Sequence, residues 1–395
     1  MKYCFLILLS IASLFSVAQS NFGLSASGEI SVITCGPSQD ELYSAFGHSA
    51  FRVYDPELGI DLAYNYGVFD FDQPNFYLNF ARGYSLYKLG VMDYPRFKYV
   101  YEYYNRSIHE QKLNLTPQEK DSLFSFLQWN ALPENQSYLY DYFYDNCATK
   151  IRDVVVTVFR GRVHFNDKHV TTDYTLRDLT DLYLTHQPWG DLAIDICLGL
   201  PMDKIASPTE YMFLPDYIER CFDNATIVRD GREQPLVSNT IDVYRSLPSE
   251  VTYTYPHPWI VFGSLFVIVG LLSFRDWNRR RISVWLDISL FSLTGILGCL
   301  LLLLWVATNH KAAANNLNLI WALPTHLVVA IMLLFKKNKK WLMYYFLICH
   351  LITVALLFGW MFLPQPIHPF LLPVVAALTV RCIVNYRLRK LSPFN

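Results

Sequence analysis

Apolar positions change their spacing twice along this chain. From about Ser20 to His257 they alternate or recur at helical intervals among polar residues, and from Pro258 onward they merge into long unbroken runs. A short apolar run from Tyr3 to about Val17 precedes both regions. Within the first region, Glu29–Thr34 and Phe46–Tyr54 alternate with period two, as half-buried strands do. Asp55-Pro56-Glu57-Leu58-Gly59 predicts a turn, and Leu62–Phe71 a hairpin partner. Tyr84–Met92 and Ser107–Leu115 read as further strands. Thr116-Pro117-Gln118-Glu119 is a capping box with proline at the first helical position, predicting a helix to about Asn130. Ser207-Pro208-Thr209-Glu210 repeats that signal ahead of a helix through Tyr211–Phe222. Ile151, Val154, Val155 and Val158 recur at helical spacing, so Cys147–Arg160 is a helix with one buried face and Asp145 or Asn146 as its N-cap.

The second region divides into five apolar segments near the length of a bilayer core: Pro258–Phe274, Ile282–Ala307, Leu317–Phe335, Trp341–Leu363 and Ile367–Tyr386. Arg275, Arg279, Arg280 and Arg281 follow the first. Lys336, Lys337, Lys339 and Lys340 follow the third, and Arg387, Arg389 and Lys390 the fifth. All three clusters fall on one side, which the positive-inside rule makes cytoplasmic, together with the C-terminus. The first region then lies outside. Lys2, the short apolar run and Ser16-Val17-Ala18 agree, because they read as a secretory signal peptide cut after Ala18. The expected organisation is a signal peptide over 1–18, an exported domain over 19–257 and a five-helix membrane domain over 258–395. A net charge of −1 gives no reason to expect a nucleic-acid partner.

Candidate chemistry sits in the exported domain. Of eight cysteines, Cys4 leaves with the signal peptide and Cys299, Cys349 and Cys382 fall in spans, leaving Cys35, Cys147, Cys197 and Cys221. An oxidising compartment permits disulfides, with Cys197 and Cys221 a candidate pair. No CxxC or Cys/His zinc spacing occurs, so no metal and no other cofactor is expected. Cys147 falls in the first turn of its helix, where unpaired N–H groups and the positive dipole end lower a thiol's pKa and offer an oxyanion site. His48 shares a strand face with Phe46, Ala50 and Arg52, beside Gly47, and a neutral imidazole is the usual base for a thiol. Asn65 is the first choice to orient that ring, with Asp61 behind it. The bland alternatives are a buried structural cysteine and a hydrogen-bonded strand histidine. Arg52 is a candidate for a phosphate headgroup, or a surface ion-pair partner. His310, Asn316, Asn318 and His326, at the outer end of the second and third spans, are candidates to grip a polar substrate head, or interfacial groups bonded to water. The tyrosines of Tyr99–Tyr104 and Tyr138–Tyr144 suit either a membrane-facing belt or a core.

Strand histidine, second strand, then helix cysteine resembles the permuted papain-like fold of NlpC-type and lecithin:retinol acyltransferase-like enzymes. More specifically, Cys35-Gly36-Pro37, Phe46-Gly47-His48-Ser49-Ala50, Tyr64-Asn65-Tyr66-Gly67 with Phe69-Asp70-Phe71, and Tyr144-Asp145-Asn146-Cys147-Ala148-Thr149 resemble the Lnb N-terminal periplasmic domain. The loop from Thr308-Asn309-His310 through Asn316, Asn318, Trp321, Pro324 and His326 is similar to that family's five-helix membrane part. The resemblance implies an α+β class: a permuted papain-like (NlpC-like) cysteine domain followed by an all-α transmembrane domain in the inner membrane of a Gram-negative cell. It also implies a lipoprotein N-acyltransferase, with a phospholipid acyl donor and a diacylated apolipoprotein acceptor. His48 and Cys147 match the family's Cys/His pair, while Asn65 and Asp61 stay open. The rival readings are a cysteine amidase or peptidase cutting cell-wall peptides, and a non-enzymatic envelope assembly factor.

Overall fold

The computed structural model describes residues 23–69, 72–248, 255–335 and 339–391. The expected signal peptide, Asp70 and Phe71 of the aromatic motif, and Lys336 and Lys337 lie outside these residues. Seven antiparallel strands form one sheet in the order β10–β5–β1–β2–β3–β4–β6. They are β1 (Glu29–Cys35), β2 (His48–Asp55), β3 (Ile60–Val68), β4 (Leu86–Asp93), β5 (Ile108–Leu113), β6 (Ser137–Leu139) and β10 (Val237–Tyr244). A small second sheet joins β7 (Val163–His164), β8 (Thr226–Arg229) and β9 (Arg232–Pro235).

Both faces of the large sheet are covered, and alternation along its strands decides which residues go where. On one face Ile30, Val32, Phe51, Val53, Tyr64 and Tyr66 pack against the helices Pro117–Asn130 and Cys147–Phe159 through Leu123, Leu127, Ile151 and Val155. On the other, Ile33, Cys35, Ala50, Ala63 and Ile108 lie under Tyr94 and Phe97 of the helix Tyr94–Tyr103. That helix escapes periodicity, because its aromatic residues are interleaved with charged ones and point both ways. The expected strands and the Thr116 capping box occur with small shifts of boundary. The candidate Cys197–Cys221 pair does not form, and both are free thiols. Cys221 is committed to the sheet core, whereas Cys197 ends the helix Pro188–Cys197, whose Leu192 packs into the membrane region.

Among the described residues that region has four long apolar helices, Pro258–Arg279, Val284–Ala307, Lys340–Phe362 and Pro369–Leu391. The expected third span is not one helix but a bent pair, Lys311–Ile320 and Thr325–Leu334, turned by 52°. Polar side chains cause the break. Trp321 Nε1 donates to Asn318 Oδ1 (3.0 Å), Asn316 Nδ2 donates to Ile196 O (2.7 Å), and Pro324 has no N–H to continue a helix. Two glycines admit the bent pair against its neighbour: a Cβ on Gly295 would stand 2.3 Å from Leu327 N, and one on Gly298 2.0 Å from Ala322 O.

The two regions are fastened together. Gly199 N donates to Ala312 O (2.7 Å) and Gln365 Nε2 to Leu198 O (3.0 Å). His368 Nε2 meets Asp191 Oδ2 at 3.0 Å. The exported face of the bundle is thus a rigid seat for the mixed α/β domain.

Candidate functional site

Cys147 is the first residue of its helix, and Asn146 is the N-cap. Asn146 Oδ1 accepts from Thr149 N (2.9 Å), Thr149 Oγ1 accepts from Asn146 N (2.8 Å), and Asn146 Nδ2 donates to Tyr142 O and Phe213 O (2.8 Å each). The buried cap thus holds the first turn through Thr149 and fixes it to the neighbouring loops through Tyr142 and Phe213. Asp145, the other candidate cap, instead pairs with Lys150 at 2.7 Å.

His48 opens β2 directly opposite Cys35 of β1. Gly47 before it has φ +76°, and a Cβ there would stand 2.6 Å from Cys35 O, so only glycine makes this turn. The His48 ring lies nearly parallel to that of Tyr101, with centroids 6.3 Å apart at 13°. Its Nε2 meets Asn65 Oδ1 at 2.5 Å. That oxygen only accepts, so Nε2 carries a proton and Nδ1 is the nitrogen left to exchange one with the thiol.

The cysteine helix and the His48 side chain belong to opposite faces of the sheet, and they meet past its open end. β2 and β3 pair from Asp55/Ile60 to Phe51/Tyr64 and then separate, while β3 loses register with β4 between Asn65 and Val68. Gly67 lies in that irregularity with φ +90°, and a Cβ on it would stand 3.7 Å from Cys147 Cβ and 4.0 Å from His48 Cε1. The bare α-carbon leaves the space that the two side chains share, close enough for each to shift the other's titration. The backbone N–H groups of Ser49 and Ala148 also point at the sulfur.

Electrostatics distinguish the two thiols gathered here. Burial alone would push Cys147 up, but the His48 charge, the hydrogen bond from His48 and the Ser49 and Ala148 N–H groups together hold it below the ordinary thiol value. Burial pushes His48 down, and the charge and hydrogen bond of Cys147, with the Asn65 bond, overcome both burial and the opposing Arg106 charge to raise it. The pair therefore favours thiolate beside imidazolium. Cys35 goes the other way: burial holds it well above the usual range despite Arg106 and a hydrogen bond with Tyr101. One thiol is activated and its neighbour is kept protonated. Alkylation of Cys147 by iodoacetamide follows its thiolate fraction. It should fall as the pH drops through a midpoint below about 8.5, the free-thiol value, and His48→Ala should move that midpoint upward. An unchanged midpoint would show that the histidine does not act on the sulfur.

The other candidate residues are placed as follows. Arg52 bonds Asp61 through Nε (2.8 Å) and Nη2 (3.0 Å) and Glu110 through Nη1 (2.9 Å), with its guanidinium 3.9 Å from the Tyr94 ring centroid. Asp61 is thereby engaged with Arg52, and the bond to His48 falls to Asn65. Asn316 and Asn318 both donate to Ile196 O. His310 meets Phe80 O at 3.2 Å, and the buried His326 lies between Thr294 Oγ1 (3.0 Å) and Cys349 Sγ (3.8 Å). These four tie helices and domains together and are not gathered around Cys147. Sequence reasoning passed over Ser49, Gly67, Tyr101 and Arg106, since positive φ, an opened ladder and a stacked ring are properties of the assembled sheet.

Two family models match the chain: the Lnb N-terminal periplasmic domain over residues 26–190 and the Lnb transmembrane domain over residues 250–392. No curated protein and no solved structure matches. The two models lie in the family's order on one chain, on either side of the docked interface, and the chain belongs to the Lnb family of membrane proteins with a periplasmic N-terminal domain.

Proposed function

We propose that the protein is a lipoprotein N-acyltransferase that works through a Cys147 thioester. The Cys147 thiolate attacks the ester carbonyl carbon of a phospholipid acyl chain, and the Ser49 and Ala148 N–H groups receive the developing oxyanion. Collapse of the tetrahedral intermediate breaks the ester C–O bond, and His48 gives its proton to the departing lysophospholipid oxygen. The free α-amine of a diacylglyceryl-modified N-terminal cysteine on an apolipoprotein then attacks the thioester. His48 takes the amine proton, and the thiolate leaves.

The observation that carries this reading is the meeting of Cys147 and His48 at Gly67, with the thiol lowered, on a domain seated against apolar helices. Both substrates are lipid-held, so a soluble domain fused to a bundle has a physical purpose. Strand histidine before helix cysteine fits a permuted papain-like arrangement, with 1–18 as signal peptide, 19–257 periplasmic, 258–395 spanning five times and the C-terminus cytoplasmic. Asn65 is the orienting residue in this scheme. Asn65→Ala should slow thioester formation about 10²-fold by freeing the ring from its reacting pose, while Asn65→Asp, which keeps an acceptor, recovers most of it.

The test is the intact mass of a reporter lipoprotein's N-terminal peptide from cells with and without this gene, together with hydroxylamine-labile fatty acid on the purified protein. A third acyl chain that depends on the gene, and labile label on wild type, are expected. Release of stem peptides from purified cell wall without any acyl label would replace this reading with the amidase one.

A further inference from the structure

The short helix Phe76–Ala81 leaves its apolar side chains uncovered: Tyr77, Leu78 and Phe80 are 76%, 55% and 54% exposed. Tyr84 and Leu86 extend the same exposed surface. Arg82 is the one charged residue between Gln73 and Tyr87. An apolar patch of this kind is costly in water and marks an interaction surface.

Its anchor fixes what it faces. Arg82 O accepts from Asn309 N (2.8 Å) and Phe80 O from His310 Nε2 (3.2 Å). Gly83, at φ +73°, comes so close that a Cβ would stand 3.0 Å from Asn309 C and His310 N. Asn309 and His310 follow directly on the helix Val284–Ala307, whose last turns expose Leu303 (56%) and Val306 (66%). The apolar faces of the short helix and of the long span are therefore neighbours at one level, the end of a membrane-crossing helix. Aromatic and aliphatic side chains with a single arginine are the composition that lies in a bilayer interface, with the guanidinium among phosphates.

A line of rings leads inward from the same helix. Phe76 lies 6.2 Å from Phe69, Phe69 lies 5.3 Å from Tyr87, and Tyr87 stacks on Tyr140 at 4.2 Å. Tyr140 is followed by Asp141, which is bridged to Asp145 two residues before Cys147 (Asp141 N to Asp145 O 3.1 Å), so the line ends beside the start of the cysteine's helix. Phe69 is also two residues along the chain from Gly67, the residue at which Cys147 and His48 meet.

We propose that the helix Phe76–Ala81 lies immersed among the acyl chains of the outer leaflet, and that Phe76, Phe69, Tyr87 and Tyr140 line the path by which one acyl chain reaches Cys147. The immersion stands on geometry alone, and the path rests on the acyl-transfer reading. The test uses the full chain in nanodiscs of phosphatidylethanolamine carrying a photoreactive diazirine on the acyl chain near its ester end. Illumination and peptide mapping should place adducts on Tyr77, Leu78 and Phe80. Tyr77→Asp with Leu78→Asp, at exposed positions, should cut Cys147 thioester formation from nanodisc lipid by tenfold or more and leave iodoacetamide alkylation of Cys147 unchanged. Absence of adducts on this helix overturns the proposal, as does normal thioester formation in the double variant. Adducts on the helix in a wild type that forms no thioester would uphold the immersion and overturn the acyl-transfer reading.

Discussion

In the proposed scheme Cys147→Ala should eliminate thioester formation, with a loss of at least about 10³-fold in single-turnover acylation, the scale on which removal of a covalent nucleophile acts. No second thiol at the site is able to substitute. Cys35 is fully buried and held protonated well above the usual thiol range. Cys147→Ser should be nearly as inactive, because the pair is poised for a thiol and a hydroxyl is far too weak an acid for His48 to deprotonate. Neither change removes a capping bond, since Asn146 and Thr149 hold the first turn between themselves. The Cys147→Ala protein should melt with wild type, which separates lost chemistry from lost folding. Hydroxylamine-labile acyl label on purified Cys147→Ala protein at the wild-type level would end the covalent scheme.

Parts of this arrangement were legible in the sequence for definite reasons. The apolar run Ile151, Val154, Val155, Val158 specifies a helix and its buried face, and that alone puts Cys147 at an N-terminus. Alternation around His48 places its side chain with Ala50 and Arg52, and the structure keeps that face. The choice between Asn65 and Asp61 was not legible, because both lie on β3 and their difference depends on Arg52, which engages Asp61 and Glu110 from the neighbouring strand. Gly67 stood in the motif Tyr64-Asn65-Tyr66-Gly67 as a letter only. Its use depends on a register break that no local pattern encodes. The third span reads as continuous by hydropathy, yet Asn316, Asn318 and Pro324 bend it, since hydropathy averages away the individual side chains that satisfy a partner domain's backbone.

Those same asparagines show how site and membrane are coupled. Candidates in the sequence for a substrate grip or for interfacial groups, they tie the Lys311–Ile320 segment to the C-terminal end of the helix Pro188–Cys197. Gly199 just beyond is so close to Ala314 that a Cβ would stand 1.9 Å from its carbonyl oxygen. The soluble domain is thus held at a fixed height on the bundle, and a fixed height is what a lipid-facing helix beside Gly83 requires.

Arg381→Ala should destabilise the membrane region by about 3–5 kcal/mol, the usual effect of stranding a buried carboxylate. Arg381 is fully buried on the helix Leu372–Leu391 and bridges two acids from two other helices. Its Nη1 donates to Asp276 Oδ2 (2.9 Å), its Nη2 to Asp287 Oδ2 (3.2 Å) and Ser283 O (3.1 Å), and its Nε also to Asp287. Without the guanidinium, Asp276 keeps Ser283 N (2.6 Å) and Ser283 Oγ (2.8 Å), whereas Asp287 loses both of its Arg381 bonds and keeps Asn385 Nδ2 (2.8 Å). Most of the effect should therefore come from Asp287. Arg381→Lys should recover only part of the loss, since one ammonium does not reproduce a planar fork across two carboxylates. Arg381→Met combined with Asp287→Leu removes the stranded charge and should melt closer to wild type than Arg381→Ala does. The check is thermal unfolding of the purified full chain in detergent, where Arg381→Ala should lower the midpoint by on the order of 10 °C. Below that temperature Cys147 alkylation should be unaffected, because the cluster lies in the bundle and not at the thiol. An Arg381→Ala protein that melts with wild type would mean that the three helices are held by apolar packing alone.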